Sequence, residues 1–325
     1  MSAMPGSKVA RLVLRRPRAA ARAPFDLAKV RWPLLAAVPA AVALARKRRD
    51  LKLPRALSNV VAASVPLTVR LSLPRGRARS ALLWGAQMWA YKVAYEIPYD
   101  RPERVRQRLR VDPPLRFDTM VGAGVPPTQR LQQRLREPAR VNVLDRLLTA
   151  VYTVWEAEPH VALAVLLAKR PDRFAALALR QGATFDLTLL GYWLVPTAPP
   201  WWASEKQGRM DGVVQRVPTR VGRDLRNEPL EQDDVEGANP WASMPSDHFA
   251  SALTAASVLR EIDPALGAVG LGYALALGFS LVYLGEHYVA DLVAGAALAA
   301  GVIAAEPLVR PVAERADAVL RRLEP

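Results

Sequence analysis

Cysteine is absent from the 325 residues, which excludes disulfides and thiol chemistry. Histidine is nearly absent, with three copies, so each copy needs a reason. Aromatic residues make up 7% of the chain and are not interleaved with its basic residues along one face. No nucleic-acid-binding motif is present, so the net charge of +15 does not point to DNA or RNA. There is no internal repeat, and no low-complexity tract beyond a basic N-terminus.

What the chain does have is apolar length. From about 148 to 306 the apolar runs are long and nearly free of charge. Beside them, a positive charge carried mostly by Arg suits an anionic membrane surface. A spanning helix needs about 20 mostly apolar residues. Six segments are candidates: 79–97, 146–168, 174–195, 246–260, 265–284 and 288–306. The first holds Lys92 and Glu96. The fourth is short and would extend through its polar start. The last is rich in the Ala and Gly that suit close helix packing. The expected fold class is all-α: a polytopic membrane protein with a six-helix transmembrane bundle.

Lys and Arg set the orientation of such a bundle. The turn KRPDR at 169–173 and the tail after Arg310 are basic and are expected in the cytoplasm. The loop 196–245 carries more acids than bases, late in its run especially, and is expected outside. Both ends then lie inside, at the plasma membrane. The Arg-rich stretch 98–145 falls outside, against the rule, and is expected to lie on the membrane as amphipathic or re-entrant helices. Residues 1–78 read as a basic cytoplasmic or interfacial segment, 79–306 as the membrane domain and 307–325 as a cytoplasmic tail. Within the first of these, WPLLAAVPAAVALA at 32–45 mimics a signal peptide, but RKRRD follows it and opposes translocation. A hairpin with 56–73 is the expected arrangement.

Two of the three histidines mark helix starts. His248 ends SMPSDH, where a polar loop meets an apolar run. Ser246 is a natural N-cap there, and a helix start offers N–H groups and a positive dipole end to an anion. His287 lies in SLVYLGEHYVADLVAG, four residues before Asp291. On a helix that spacing places both side chains on one face. Asp291 can then fix the imidazole tautomer and leave the other nitrogen free. Ionisable groups inside spans are rare without a role. The set suits attack on phosphorus in a lipid head group. His287 would be the nucleophile and form a phosphohistidine, His248 the acid and then the base, and Asp291 the orienter. No metal or other cofactor is required, although the same three residues also suit a zinc site. His160, in WEAEPH, reads as interfacial or as part of the same outer face.

These residues resemble the type 2 phosphatidic acid phosphatase superfamily, whose motifs read P-S-G-H and S-R-x5-H-x3-D. Here the first is Pro245, Ser246, Asp247 and His248, and the second is Ser280, Leu281, His287 and Asp291. Tyr283 and the stretch Gly285, Glu286, His287 are also similar to the family. PTAPPWW at 196–202 resembles the branch containing inositol phosphorylceramide synthase, an inositolphosphotransferase with a His, His, Asp triad. The resemblance covers roughly residues 80–306. It implies a six-helix membrane fold, a site at the non-cytoplasmic face and membrane lipids as substrates.

The departures suggest the substrate. The family's K-x6-R-P motif is missing, since Lys92, Arg101 and Pro102 do not have its spacing. Leu281 stands for the motif Arg and Asp247 for the motif Gly. A phosphate monoester is nearly a dianion and needs several cations, whereas a diester carries one charge. The expected activity is therefore phosphoinositol-type transfer of a phosphodiester head group. Ser246, Asp247, Lys206, Arg209 and Trp201 are the expected substrate-binding residues. Lys206, Arg209, Arg216 and Arg220 could replace the missing cations, which would favour hydrolysis of phosphatidic acid or a polyprenyl phosphate by the same triad. Trp201 and Trp202 also read as interface anchors. An inactive membrane scaffold is the reading from another class. Nothing in the sequence sets the oligomeric state.

Overall fold

A computed structural model describes residues 27–229, 239–322 and 324. The basic stretch before residue 27 and most of the acidic run at 228–236, which set the sidedness of its loop, lie outside the described residues. Among the described residues the chain is all-helical, with fourteen α-helices and no strand. Helices α1 (Leu27–Arg46) and α2 (Arg55–Ser72) form a hairpin, and α2 packs along α3 (Arg77–Glu96). Arg48, buried after α1, fastens the hairpin to the end of α3 through Glu96 at 2.9 Å and Asp100 at 3.0 Å.

Residues 98–145 are docked on the bundle rather than laid out beside it. They contain α4 (Pro102–Arg106), α5 (Asp112–Val121) and α6 (Pro127–Leu135). Gln132 on α6 is buried, and its amide donates to Tyr283 O at 2.9 Å and Gln215 O at 3.0 Å. The buried Arg136 pairs with Asp145 at 3.1 Å, and the Tyr283 hydroxyl donates to the same carboxylate at 2.6 Å. Buried polar groups of this kind need partners inside the protein. The Arg-rich stretch is therefore a polar cap bonded to the helix ends.

The segment expected to span at 146–168 is broken. It forms α7 (Val143–Val154) and α8 (Glu158–Lys169), twelve residues each, separated at residues 155–157. Pro159 explains the position. A proline ring clashes with the carbonyl four residues earlier, here that of Trp155, and lacks the N–H that would bond it.

After α9 (Phe174–Leu194), α10 (Pro200–Gln207) and α11 (Val217–Arg226) come the three helices around which the rest is arranged. These are α12 (Asp247–Arg260), α13 (Pro264–Tyr283) and α14 (Val289–Arg321). Helix α12 is central and packs on α8, α9, α13 and α14. Its buried residues are mostly small: Ala250, Ser251, Ala252, Thr254, Ala255 and Ala256. It does not extend through the polar start as expected. The Ser246 hydroxyl accepts from Phe249 N at 3.3 Å and ends it there, leaving 14 residues.

By length and composition, two helices among the described residues can cross a membrane, α13 and α14. The others expected to span are shorter or less apolar. Helices α9, α13 and α14 expose Leu187, Leu190, Val269, Leu275, Phe279 and Val293. At the end of the bundle remote from the histidines, Arg173 pairs with Glu261 at 3.2 Å and Arg180 with Glu306 at 2.5 Å.

Candidate active site

Helices α12 and α14 start at the same end of the bundle, and a glycine sets how close they come. A Cβ on Gly295 would lie 2.6 Å from the carbonyl oxygen of Ser246. Ser246 N donates to Asp291 O at 3.0 Å and joins the two starts. His248 occupies the first turn of α12, and His287 precedes α14 by two residues. Their rings meet, with His248 Nδ1 3.1 Å from His287 Nε2.

His287 and Asp291 come together by a route other than a shared helix face. His287 lies in the turn ahead of α14, and Asp291 is the third helical residue. The Asp291 carboxylate folds back as a cap. Its Oδ2 accepts from Tyr288 N at 2.9 Å and from the Ser243 hydroxyl at 2.5 Å, and lies 3.2 Å from His287 Nδ1. This is the capping-box position, so one carboxylate oxygen both ends the helix and meets the imidazole. Asp291 is fully buried and His287 nearly so.

The turn itself is rigid. Gly285 has φ +80°, and a Cβ there would sit 2.8 Å from Gln215 O. The N–H groups of Glu286 and His287 both donate to Leu281 O, at 3.1 and 3.2 Å. The Leu281 side chain is fully buried and packs with Ala252, Ala274 and Leu277. Its place in the second motif therefore faces the apolar core.

His248 is held from its other side. The Trp155 ring centre lies 4.1 Å from its own and that of Tyr152 5.2 Å away. Both rings flank the break between α7 and α8. Trp155 Nε1 donates to Ser251 Oγ at 2.8 Å.

A cavity of about 450 Å³ opens on this pair, walled by α3, the α7–α8 break, α9, the start of α10 at Trp201 and the turn at Glu286. Asp247, His248, His287 and Trp201 line it. Asp247 is almost fully buried and is held by the Tyr91 hydroxyl and by Thr188 Oγ1, the latter at 3.1 Å. Ser246 is not among the lining residues, and its hydroxyl serves as the helix cap. The anion-binding donors expected at this helix start are partly spent. Phe249 N goes to Ser246 Oγ, and Asp247 N donates to the Tyr192 hydroxyl at 3.2 Å.

The cations of the 196–245 loop separate. Lys206 and Arg209 are exposed and do not line the cavity, and Arg209 pairs with Asp112 at 3.0 Å. Arg216 does line it. Its guanidinium stands 4.8 Å over the Trp201 ring and pairs with Glu286 at 2.8 Å. That carboxylate raises the Arg216 pKa further above its ordinary value. Lys92, set aside in the sequence for its spacing, also lines the cavity. Trp201 and Trp202 are buried with Trp241 and Tyr288, so they do not sit exposed as interface anchors. His160 lines the far wall and accepts from Trp84 Nε1 at 2.9 Å. Among the described residues, no three His, Cys, Asp or Glu side chains group so as to hold a metal ion.

Asp118 had no signal in the sequence. It projects from α5 and is fully buried. Its two oxygens accept from Val289 N at 2.9 Å and Ala290 N at 3.0 Å, fixing the start of α14 from outside. Burial raises its pKa from 3.8 to about 6, with nearby Asp291 adding to the rise and the two N–H bonds opposing it. A carboxyl raised in this way binds its proton more tightly folded than unfolded. Its contribution to stability therefore falls as pH rises from about 4 to about 6. Asp118→Asn should remove that dependence. The melting temperature of wild type relative to the variant should decline across this window and then level; a flat difference contradicts the assignment.

A family model described as the PAP2 superfamily matches residues 116–305. That stretch starts just before Asp118 and includes both histidine motifs and most of the cavity wall. Neither the curated proteins nor the solved structures contain a match to the chain. The family match spans more than half of the sequence, and the chain belongs to the PAP2 superfamily.

Proposed function

We propose that the protein is an integral membrane phosphotransferase that moves a phosphodiester-linked head group, of phosphoinositol type, between membrane lipids. Membership of the superfamily supports phosphatase or phosphotransferase chemistry on lipid phosphates. The charge balance of the cavity carries the finer reading. Among the described residues its lining holds two cations, Lys92 and Arg216, against three carboxyls, Glu156, Asp247 and Glu286. A singly charged diester suits such a wall better than a dianionic monoester does.

The geometry supports definite proton positions. His287 Nδ1 faces a carboxylate oxygen, so its proton sits there and Nε2 keeps a lone pair. In this reading His248 starts as the imidazolium, donates its Nδ1 proton to that lone pair, and becomes a neutral imidazole once the proton is passed on. A phosphoryl group seated on Nε2 takes the place of this hydrogen bond. Nε2 attacks phosphorus, the bond to the leaving oxygen breaks, and that oxygen takes the His248 proton. The acceptor hydroxyl next gives its proton to His248, attacks phosphorus and breaks the P–N bond. Both histidines return to their starting forms.

In this reading six crossings surround the site: α3, the broken α7–α8 pair, α9, α12, α13 and α14. Interrupted backbone at membrane depth is tolerated where it lines a cavity, and the α7–α8 break lies beside His248. The basic turn at 169–173 belongs to the opposite, cytoplasmic end, which puts the site at the non-cytoplasmic face of the plasma membrane. Exposed apolar faces on α9, α13 and α14 suit contact with lipid.

The test uses purified protein in detergent, with phosphatidylinositol plus a lipid alcohol in one arm and phosphatidic acid in the other. Head-group transfer without phosphate release is expected. Release of phosphate from the monoester would replace this reading with a lipid phosphate phosphatase using the same triad. No turnover in either arm would favour the inactive scaffold.

A further inference from the structure

We infer that Glu286 sets the charge state of the phosphate the site accepts, by holding Arg216 in an ion pair at the cavity wall. The inference rests on the phosphotransfer reading above and names its specificity determinant. Both partners are fixed. Glu286 is buried, next to His287, in the turn that Gly285 and the Leu281 carbonyl hold rigid. Its two carboxylate oxygens take Nε and Nη2 of Arg216, at 2.8 and 3.4 Å. Arg216 is positioned in turn by the Trp201 ring at 4.8 Å, and its own N–H donates to Glu205 at 3.0 Å.

This arrangement has a consequence for substrates. Arg216 and Lys92 are the two cations lining the cavity among the described residues. One edge of the guanidinium fork, the part suited to gripping a phosphate, is committed to Glu286. A dianionic monoester that reaches Arg216 meets the Glu286 charge just behind it. A diester brings one charge and needs no second cation. Selection here works by repelling the wrong ligand as well as holding the right one. Glu286 acts through Arg216 and is a positioning residue, with no contact to the reacting atoms required of it.

Glu286→Gln keeps the shape and a hydrogen bond to Arg216 but removes the charge. In full-length protein in detergent, inorganic phosphate should inhibit this variant about tenfold more strongly than wild type. Monoester turnover should rise by a similar factor relative to diester transfer. Glu286→Asp keeps the charge and should stay near wild type in both ratios. Thermal melting of each variant separates unfolding from altered selectivity. Equal loss of kcat/KM on both substrates, with unchanged phosphate inhibition in folded Glu286→Gln, would mean that Glu286 only props Arg216. If wild type releases phosphate and transfers nothing, the phosphotransfer reading fails by itself. The inhibition ratio then still decides whether Glu286 tunes charge selection.

Discussion

Replacing His287 by Ala should remove turnover on every substrate, by at least about 10⁴-fold, whereas replacing His248 should slow formation of the phosphohistidine only when the leaving group is poor. The two histidines touch, so simple loss of activity cannot tell their roles apart. Leaving-group chemistry can. If His248 protonates the departing oxygen, its absence costs about 10²–10⁴-fold with an alkoxide leaving group. With a nitrophenolate, which leaves without a proton, most of that loss should disappear from the first-turnover burst, while the second step still needs His248 as base. His287→Ala should show no such recovery, because no bond to phosphorus can form. Acid-labile, alkali-stable labelling of the protein by a phosphorus-labelled substrate should be present in wild type and absent in His287→Ala. Equal loss of the burst in both variants on the activated substrate would argue against separate roles.

The second large effect is structural. Gly295→Val should destabilise the protein by about 3 kcal/mol or more and abolish activity in what remains folded. Overpacking costs about 1–3 kcal/mol where side chains can adjust. Here the nearest atom to the added Cβ is the Ser246 carbonyl oxygen at 2.6 Å, with Ala250 N at 3.5 Å. Both are backbone atoms of the α12 start and have no rotamer to change. Relief requires α12 and α14 to separate, which pulls His248 from His287. Gly301 on the same helix is the control, since a Cβ there meets nothing within 4 Å. Gly301→Ala should be neutral or mildly stabilising, by up to about 1 kcal/mol. Unfolding in detergent, read beside activity, distinguishes the two positions.

The convergence of two helix starts was readable in the sequence because local chemistry marks each one. Ser246 caps α12, Asp291 caps α14, and each has a histidine within four residues. The manner of convergence was not readable. A spacing of four suggests a shared helix face, and only the backbone shows that His287 lies before the helix. Lys206, Arg209, Arg216 and Arg220 looked alike as bases in one loop. Position in the cavity wall separates Arg216, through Trp201 and Glu286, contacts set by tertiary packing. Asp118 was silent for the same reason, since its partners are more than 170 residues away. Apolar length showed the helical class. It hid the break in the 146–168 segment, where one proline outweighs a run of Leu and Ala.

Proteins commonly give up stability to hold a functional group in place, so that removing the group makes the fold firmer. The Asp291 carboxylate reverses that bargain. The oxygen that faces His287 Nδ1 also accepts from Tyr288 N and Ser243, and the same residue's backbone receives Ser246 N. A sequence that drifts at this position loses a helix end along with its histidine partner. Selection for folding alone would therefore preserve the acid, even in a descendant that no longer turned over substrate.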